Sequence, residues 1–256
     1  MLDRGTPFAT LPLEMEGRLR QIGDFYLDAQ FNKTEERPPI VKIKNQIYYR
    51  FMDFLYLPQP PESLSTEQII EICDLRIEYM DHLVVAAHNE HIVAEAVRCA
   101  QAGNDRLTPP IKALDFGCGS GLSSTLLQKY WPGLSLIGVD ISEKAVARSR
   151  EQHLDARLIK PDRRLPFDDA TFDLIFAIFV MHFNVSIGAL AELRRVLQPG
   201  GSFVFNVYQR DIDEVQTQLQ DAGFNSRDIE EISGVSKTHR MVRCSVSVPG
   251  ERLLQM

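Results

Sequence analysis

A glycine-rich loop is the first feature of this sequence whose residue types and spacing could support chemistry. It begins within the short apolar stretch 111–116 and precedes residues that favour a helix. Three closely spaced glycines allow the backbone to turn sharply and to approach a ligand closely, and the start of the following helix offers N–H groups to that ligand. A tight turn between a strand and a helix that binds nothing is the alternative. The loop comprises Leu114, Asp115, Phe116, Gly117, Cys118, Gly119, Ser120 and Gly121.

A second candidate, Asp140, ends the next apolar stretch, 134–139. In doubly wound α/β folds a carboxylate at this point accepts hydrogen bonds from ribose hydroxyls. Together with the loop, it predicts binding of a nucleoside-containing cofactor. The alternative is that Asp140 caps a helix that starts near Ser142. The glycines follow the pattern G-x-G-x-G, one residue shorter than the G-x-G-x-x-G of dinucleotide-binding loops, so a nicotinamide-dependent oxidoreductase is disfavoured.

Strands that end beside one another are needed to position these residues, and the second half of the chain has the pattern to supply them. Short apolar stretches there alternate with stretches of helical periodicity. This alternation predicts an α/β fold with a doubly wound, mostly parallel sheet of seven strands, the last two of which pair antiparallel. The predicted strands are 111–116, 134–139, 157–159, 172–180, 202–207, 229–232 and 240–248, and the predicted helices are 123–130, 143–152, 187–197 and 211–222.

The first hundred residues have a different pattern. A polar segment, 101–110, ends in two prolines and predicts a boundary between an N-terminal, mainly helical extension over 1–105 and a second domain over 106–256. Helices are expected over 13–31 and 66–100. Between them lies an aromatic-rich stretch that is ambiguous between helix and strand, with Tyr48, Tyr49, Phe51, Phe54 and Tyr56.

Three further stretches extend the pattern toward a known family. They are 165–175, which begins Leu-Pro-Phe-Asp-Asp, then 180–183, which ends His-Phe, and 193–201, which ends Pro-Gly-Gly. In this order, with the glycine loop and Asp140, they resemble the class I S-adenosylmethionine-dependent methyltransferase superfamily. The set looks most like its small-molecule branch, which includes the ubiquinone and menaquinone biosynthesis enzymes. The resemblance covers residues 111–208 and implies a Rossmann-like methyltransferase domain.

The resemblance implies S-adenosylmethionine as cofactor, S-adenosylhomocysteine as product and a role for each matched residue. Asp115 and the glycine loop would line the methionine moiety and the ribose, and Asp140 would hold the ribose hydroxyls. Ile141 would pack on the adenine. Asp162 would accept a hydrogen bond from the adenine amine, with a surface turn as the alternative. Phe179 would lie close to the sulfonium.

The methyl carbon of such a cofactor is already electrophilic, so the protein chiefly has to align a nucleophile. A general base helps when the nucleophile is a hydroxyl or an acidic carbon. His182 is the best-placed candidate, since an unperturbed imidazole has a pKa of about 6.5; a hydrogen bond that orders its loop is the alternative. Asn206 and Tyr208 could face the acceptor or simply pack. Members of the superfamily often carry helices before the first strand, which implies that 1–105 forms a lid whose aromatics line the acceptor pocket, unless they form a plain core.

Composition narrows the function further. The net charge of -7 argues against a phosphate backbone as partner. The sequence has no apolar run of membrane-spanning length, and its four scattered cysteines suit the cytoplasm. No metal site is expected, because His88 and His91 lack a third ligand at useful spacing. The leading prediction is therefore methyl transfer to a small-molecule acceptor of secondary or quinone-type metabolism, at oxygen rather than nitrogen or carbon, by a chain that could form a homodimer. A catalytically inactive methyltransferase-like binding subunit is the alternative.

Overall fold

The computed structural model describes residues 9–10, 18–28, 40–51, 55–80, 86–102, 107–208, 210–225, 229–232 and 239–246. The chain divides into two compact units, Met1–Ser65 and Thr66–Met256.

The first unit contains a six-stranded sheet. The prediction of a mainly helical N-terminal extension is therefore wrong for the described residues before Ser65. The strand order is β1-β4-β5-β6-β3-β2. A 3-10 turn, Pro61–Ser63, follows the sheet. The strands are β1 (Ala9–Thr10), β2 (Leu19–Ile22), β3 (Phe25–Asp28), β4 (Ile40–Ile43), β5 (Gln46–Phe51) and β6 (Leu55–Leu57).

Two-residue turns close two hairpins of this unit, and the first hairpin stands where the helix over 13–31 was expected. Gly23, with a φ of 55°, helps to close the β2–β3 hairpin. Lys44 and Asn45, with φ of 45° and 69°, close the β4–β5 hairpin, and such left-handed pairs match the twist of paired strands. The described part of 13–31 is residues 18–28; the remainder of that prediction lies outside the described residues.

The aromatic side chains of this unit pack in its own interior. Tyr26 and Tyr48 meet edge to face, with ring centroids 5.1 Å apart, beside the buried Tyr56. Phe51 is also buried, while Phe54 lies outside the described residues. These contacts fit the plain-core interpretation of the aromatic stretch; its role as a lid over an acceptor pocket stays a prediction.

The second unit begins at Thr66, earlier than the boundary expected at residue 105. Its first two helices, α1 (Thr66–Met80) and α2 (Ala86–Ala102), confirm helical structure within the range 66–100. Helix α2 buries Ile92, Val93 and Ala96 in the core of this unit. Both helices belong to this unit: α2 packs into its core, and α1 contacts the helix Glu143–Glu151.

The sheet of the second unit confirms the predicted doubly wound fold. Its seven strands are ordered β12-β13-β11-β10-β7-β8-β9. The pairs from β11 through β9 are parallel, and β13 pairs antiparallel with both β11 and β12. The strands are β7 (Ile111–Phe116), β8 (Leu134–Asp140), β9 (Ala156–Leu158), β10 (Phe172–Ala177), β11 (Leu197–Tyr208), β12 (Ile229–Ile232) and β13 (His239–Ser245), and the remaining helices are α3 (Leu122–Tyr130), α4 (Glu143–Glu151), α5 (Ile187–Val196) and α6 (Ile212–Asp221).

Helices cover both faces of this sheet. One face carries α5 and α6, which contribute Leu190, Leu193, Val215 and Leu219 to one core cluster. On the other face, α2 packs beside α3, whose Leu127 is fully buried. Strand β7 lies between β8 and β10, so the chain reverses its direction of winding there. Ligands of open α/β sheets bind outside the carboxyl ends of the strands at this reversal point.

Candidate functional site

The glycine loop occupies the reversal point, and its three glycines differ in what they face. Gly117, Gly119 and Gly121 have φ of 75°, 55° and 93°, a region that favours glycine. A Cβ on Gly117 would lie 2.4 Å from Val180 Cγ2, and one on Gly121 would lie 2.4 Å from Leu154 Cδ1. A Cβ on Gly119 would meet nothing within 4 Å. The first and last glycines are therefore required by packing, whereas Gly119 lines open space that a ligand can enter.

Strand β8 holds the loop from behind. The N–H groups of Gly117 and Cys118 donate to Val139 O at 2.8 and 3.0 Å. A Cβ on Gly138 would approach Cys118 Sγ to 2.8 Å, so glycine at this strand position makes room for the thiol. Cys118 is buried, and its burial raises the pKa of the thiol well above the usual range. Any contact between Cys118 and a ligand would therefore come from its backbone.

Asp115 is a buried carboxylate at the end of β7. Its Oδ2 accepts a hydrogen bond from Ser124 Oγ at 2.6 Å, while its Oδ1 has no hydrogen-bond partner among the described residues. Burial raises the pKa of Asp115 to about 7. A buried acceptor without a partner is costly, and a ligand ammonium group would satisfy it. The neighbouring Phe116 packs its side chain into the core.

Asp140 ties the glycine loop to helix α4. Its Oδ2 accepts from the N–H of Gly119 at 2.9 Å, and its Oδ1 accepts from the N–H of Ser142 at 2.9 Å. The helix cap is Ser142, whose Oγ accepts from Ala145 N, so Asp140 is not the N-cap residue. Burial raises the pKa of Asp140, and the backbone N–H groups oppose that shift. Each carboxylate oxygen can accept a second hydrogen bond, which leaves capacity for ribose hydroxyls. Ile141, next along the chain, is half-buried.

Asp162 serves the start of helix α5 in this structure. It is exposed, has a φ of 53° and accepts a hydrogen bond from Ser186 Oγ at 2.5 Å. Ser186 in turn caps α5 by accepting from Ala189 N. This arrangement fits the surface-turn interpretation, and the contact of Asp162 with adenine stays a prediction.

The segment after β10 brings Phe179 and His182 to the same edge of the sheet. Phe179 is half-buried, with a φ of 60°, and its N–H donates to Asn206 Oδ1 at 2.7 Å. His182 is buried, and its burial, aided by the charges of Arg76 and Arg210, lowers its pKa to about 3. The guanidinium of Arg210 donates to Phe183 O at 2.8 Å and so holds the segment in place. The imidazole of His182 is therefore neutral at neutral pH, and its role as a general base stays a prediction that this low basicity disfavours.

Two side chains at this edge were missed by the sequence analysis. His239 begins β13 and contacts both Asn206 and Phe179; the only sequence signal for it is the prediction that the last strands pair antiparallel. Arg76 on α1 is half-buried and lies close enough to Asp140 and His182 to lower the pKa of each. No sequence periodicity indicates that this face of α1 approaches the site.

No group of three histidine, cysteine, aspartate or glutamate side chains among the described residues could hold a metal ion. None of the helices within the described ranges is long and apolar enough to cross a membrane.

Known proteins resemble the chain over the part that carries the glycine loop. Residues 114–205 match the family described as a methyltransferase domain. The chain is 37% identical over 114 residues to the malonyl-[acyl-carrier protein] O-methyltransferase of Herminiimonas arsenicoxydans, which covers 43% of this chain and 42% of that protein. It is 33% identical over 131 residues to a sterol 24-C-methyltransferase of Gibberella zeae, covering 48% of this chain and 32% of that protein. The chain thus spans less than half the length of these relatives.

A solved structure shares the fold. One chain of a complex that contains the Haloferax volcanii Trm112 methyltransferase activator superimposes with a TM-score of 0.56 at 18% identity. The match covers 70% of this chain and 98% of that chain.

Proposed function

We propose that the chain is a class I, S-adenosylmethionine-dependent enzyme that transfers a methyl group to a small-molecule acceptor, since residues 114–205 match a methyltransferase domain. The observation that carries the proposal is the pairing of an open glycine loop with two buried carboxylates. Gly119 faces open space, and its N–H is held by Asp140. Asp115 presents an oxygen that no described residue satisfies.

The residues at this edge fit the cofactor part by part. Asp115 Oδ1 would accept from the ammonium group of the methionine moiety, and Asp140 would accept from the ribose hydroxyls. Gly119 would let the cofactor approach the backbone. Phe179 would lie close to the sulfonium, and Ile141 would pack on the adenine. We also propose that Asp162 accepts a hydrogen bond from the adenine amine. On cofactor binding this hydrogen bond would replace the one that Asp162 accepts from Ser186.

The cofactor supplies an electrophilic methyl carbon when bound. The protein has to hold the acceptor in line with that carbon and to exclude water. His182 is neutral and weakly basic, since its pKa is about 3. An acceptor that is already ionised at neutral pH needs no base. This argument favours a carboxylate oxygen, whose methylation forms an ester, over a hydroxyl.

Two further observations support an acidic acceptor. The relative from Herminiimonas is named for O-methylation of a malonyl group, and a malonyl thioester ends in a carboxylate. Arg76 also places a positive charge near Asp140 and His182, in a chain whose net charge is -7. Methylation at carbon is the alternative suggested by the sterol relative. An acceptor from quinone metabolism, a homodimer and a cytoplasmic location stay predictions.

Calorimetric titration with S-adenosylhomocysteine tests the cofactor site. We expect binding by the wild-type protein and at least about tenfold weaker binding by Asp140→Asn, because each ribose hydrogen bond to a charged group is worth about 1.5–3 kcal/mol. Asp168→Asn is the matched control, since Asp168 is an exposed aspartate on a surface loop. Absence of binding in the wild type, or equal binding by the two variants, would refute the proposed cofactor site.

Methyl transfer from labelled S-adenosylmethionine to a malonyl thioester of N-acetylcysteamine tests the acceptor class. We expect a methyl ester to form and Arg76→Gln to raise the KM for the acid more than it lowers kcat. The same thioester with its carboxylate already esterified is the control substrate. Methyl transfer to carbon, or equal transfer to the blocked substrate, would contradict the carboxylate proposal. Cofactor binding without transfer to any acceptor would favour the inactive binding subunit.

A further inference from the structure

A buried amide joins three strand ends at the carboxyl edge of the sheet. Asn206 is fully buried near the end of β11. Its Oδ1 accepts from the N–H of Phe179 at 2.7 Å, beyond the end of β10. Its Nδ2 lies 2.9 Å from His239 Nδ1, at the start of β13. One side chain thus links the segment that carries the predicted sulfonium contact to the antiparallel edge of the sheet.

The geometry of the amide determines the protonation of His239. Because the amide oxygen is already engaged by a backbone N–H, the group that faces His239 is the NH₂, which can only donate. The ring nitrogen Nδ1 of His239 must then accept, and its proton must reside on Nε2. Turning the amide over would place its NH₂ against the N–H of Phe179, so the two contacts enforce one orientation. His239 is therefore held as a neutral imidazole of one tautomer.

Register explains why these residues meet. Tyr208 lies directly opposite His239 in the β11–β13 ladder, and Asn206 lies opposite Met241. Asn206 and His239 are consequently diagonal neighbours on one face, a separation that side chains can span. Tyr208 stacks on the His239 ring at 4.7 Å, and the Phe179 ring meets it edge-on at 5.5 Å. The imidazole is clamped between two aromatic rings and fixed by the amide.

The backbone of Phe179 depends on the same amide. Its φ of 60° lies in the left-handed region, which residues other than glycine rarely adopt. Such a conformation persists only where surrounding contacts enforce it. The hydrogen bond from Phe179 N to Asn206 Oδ1 is a contact of that kind. The next residue, Val180, closes over the glycine loop, with its Cγ2 only 2.4 Å from where a Cβ on Gly117 would lie.

We propose that Asn206 is a positioning residue of methyl transfer, which holds the left-handed turn at Phe179 against the cofactor loop and keeps His239 as a neutral Nε2–H imidazole beside it. The assignment rests on the proposed function for its cofactor. Asn206 itself touches neither reacting group; it acts through Phe179 and His239.

Two substitutions separate the two roles of the amide. In Asn206→Asp, one carboxylate oxygen keeps the bond to Phe179 N, while the other faces His239 and draws a proton onto Nδ1. In Asn206→Leu, both hydrogen bonds are lost in a side chain of similar volume. Met241→Leu is the control, because Met241 is a buried neighbour that lies opposite Asn206 in the ladder.

Nitrogen-15 NMR of the histidine rings gives a readout that needs no cofactor. We expect His239 to show the Nε2–H tautomer in the wild type and in Met241→Leu, and protonation of both nitrogens in Asn206→Asp. A wild-type His239 that carries its proton on Nδ1 would overturn the tautomer assignment, whether or not the protein binds a cofactor.

Titration of the same proteins with S-adenosylhomocysteine tests the link to the cofactor. We expect the His239 resonances of the wild type to move on binding. Binding should weaken by about tenfold or more in Asn206→Leu, equivalent to about 1.4 kcal/mol, and change less than about twofold in Asn206→Asp and Met241→Leu. Unchanged affinity in Asn206→Leu would overturn the positioning role. If the wild type does not bind S-adenosylhomocysteine at all, the proposed function fails, and the NMR result still decides the hydrogen-bond network.

Discussion

The middle glycine of the loop offers the sharpest test of whether the loop binds a ligand. Gly119→Ala adds one methyl group in a direction where nothing lies within 4 Å. The fold is therefore disturbed only by the left-handed backbone, with a φ of 55°, which costs an L-residue about 1–2 kcal/mol. For a domain of this size, each kcal/mol lowers Tm by about 2–4 °C. The added methyl would nevertheless occupy the space proposed for the cofactor.

We expect Gly119→Ala to bind S-adenosylhomocysteine at least about tenfold more weakly than the wild type, which corresponds to about 1.4 kcal/mol. Gly121→Ala is the comparison. Its Cβ would lie 2.4 Å from Leu154 Cδ1 and 2.9 Å from Ser149 Oγ, so overpacking adds about 1–3 kcal/mol to the backbone cost. The two variants should therefore differ in opposite ways: Gly119→Ala mainly loses binding, and Gly121→Ala mainly loses stability.

Calorimetry and thermal unfolding of the same preparations provide the measurement. The reasoning requires that binding and stability separate between the two glycines. If Gly119→Ala binds S-adenosylhomocysteine as tightly as the wild type while its Tm falls as expected, the open side of the loop does not face the cofactor. The loop would then be a tight strand-to-helix turn, the alternative that its sequence also allows.

Three further predictions concern titratable groups and their partners. Asp115 has a folded pKa of about 7, above its unfolded value, so its contribution to stability is present at low pH and is lost as pH rises from about 4 to 7. The difference in free energy of unfolding between the wild type and Asp115→Asn should change over this pH range. A difference that does not change with pH would contradict the prediction. His182 has a folded pKa of about 3, so the NMR chemical shifts of its ring protons should not change between about pH 5.5 and 8. A titration midpoint near pH 6.5 would instead restore the general-base assignment. Ser124→Ala removes the hydrogen bond to Asp115 Oδ2 and should lower the free energy of unfolding by about 1–3 kcal/mol. Denaturant titration measures this change, with Thr125→Ser as the control. An unchanged free energy of unfolding would mean that another group hydrogen-bonds to Asp115.

Much of the α/β unit could be predicted from the sequence because its signals are local. Burial on both faces makes parallel strands continuously apolar, and helices between them keep a period near 3.6. All three glycines of the loop have left-handed backbone angles, and close contacts also require glycine at positions 117 and 121. The end of β8 at Asp140 and the antiparallel pairing of the last strands followed from the same local pattern.

The N-terminal sheet and the domain boundary could not be obtained in this way. Its strands are short, and two of their pairings, β1 with β4 and β3 with β6, join segments that are distant in sequence. Its aromatic residues have the spacing of either a helix or a strand. Pairing, not intrinsic preference, decided between the two. The polar, proline-ended segment 101–110 suggested a boundary, yet helices α1 and α2 before it belong with the second unit, where α2 packs into the core and α1 contacts α4.

The sequence by itself determined the loop, the carboxylates at the ends of β7 and β8, and the order of strands and helices that brings them to one edge. Only the tertiary structure decided what each polar group of that edge contacts. Asp162 hydrogen-bonds to the N-cap residue of α5, and burial makes His182 a weak base. The antiparallel register of β11 and β13 brings His239 next to Asn206. Hydrogen-bond partners and pKa values depend on atoms contributed by distant segments, and these have no trace in the local sequence pattern.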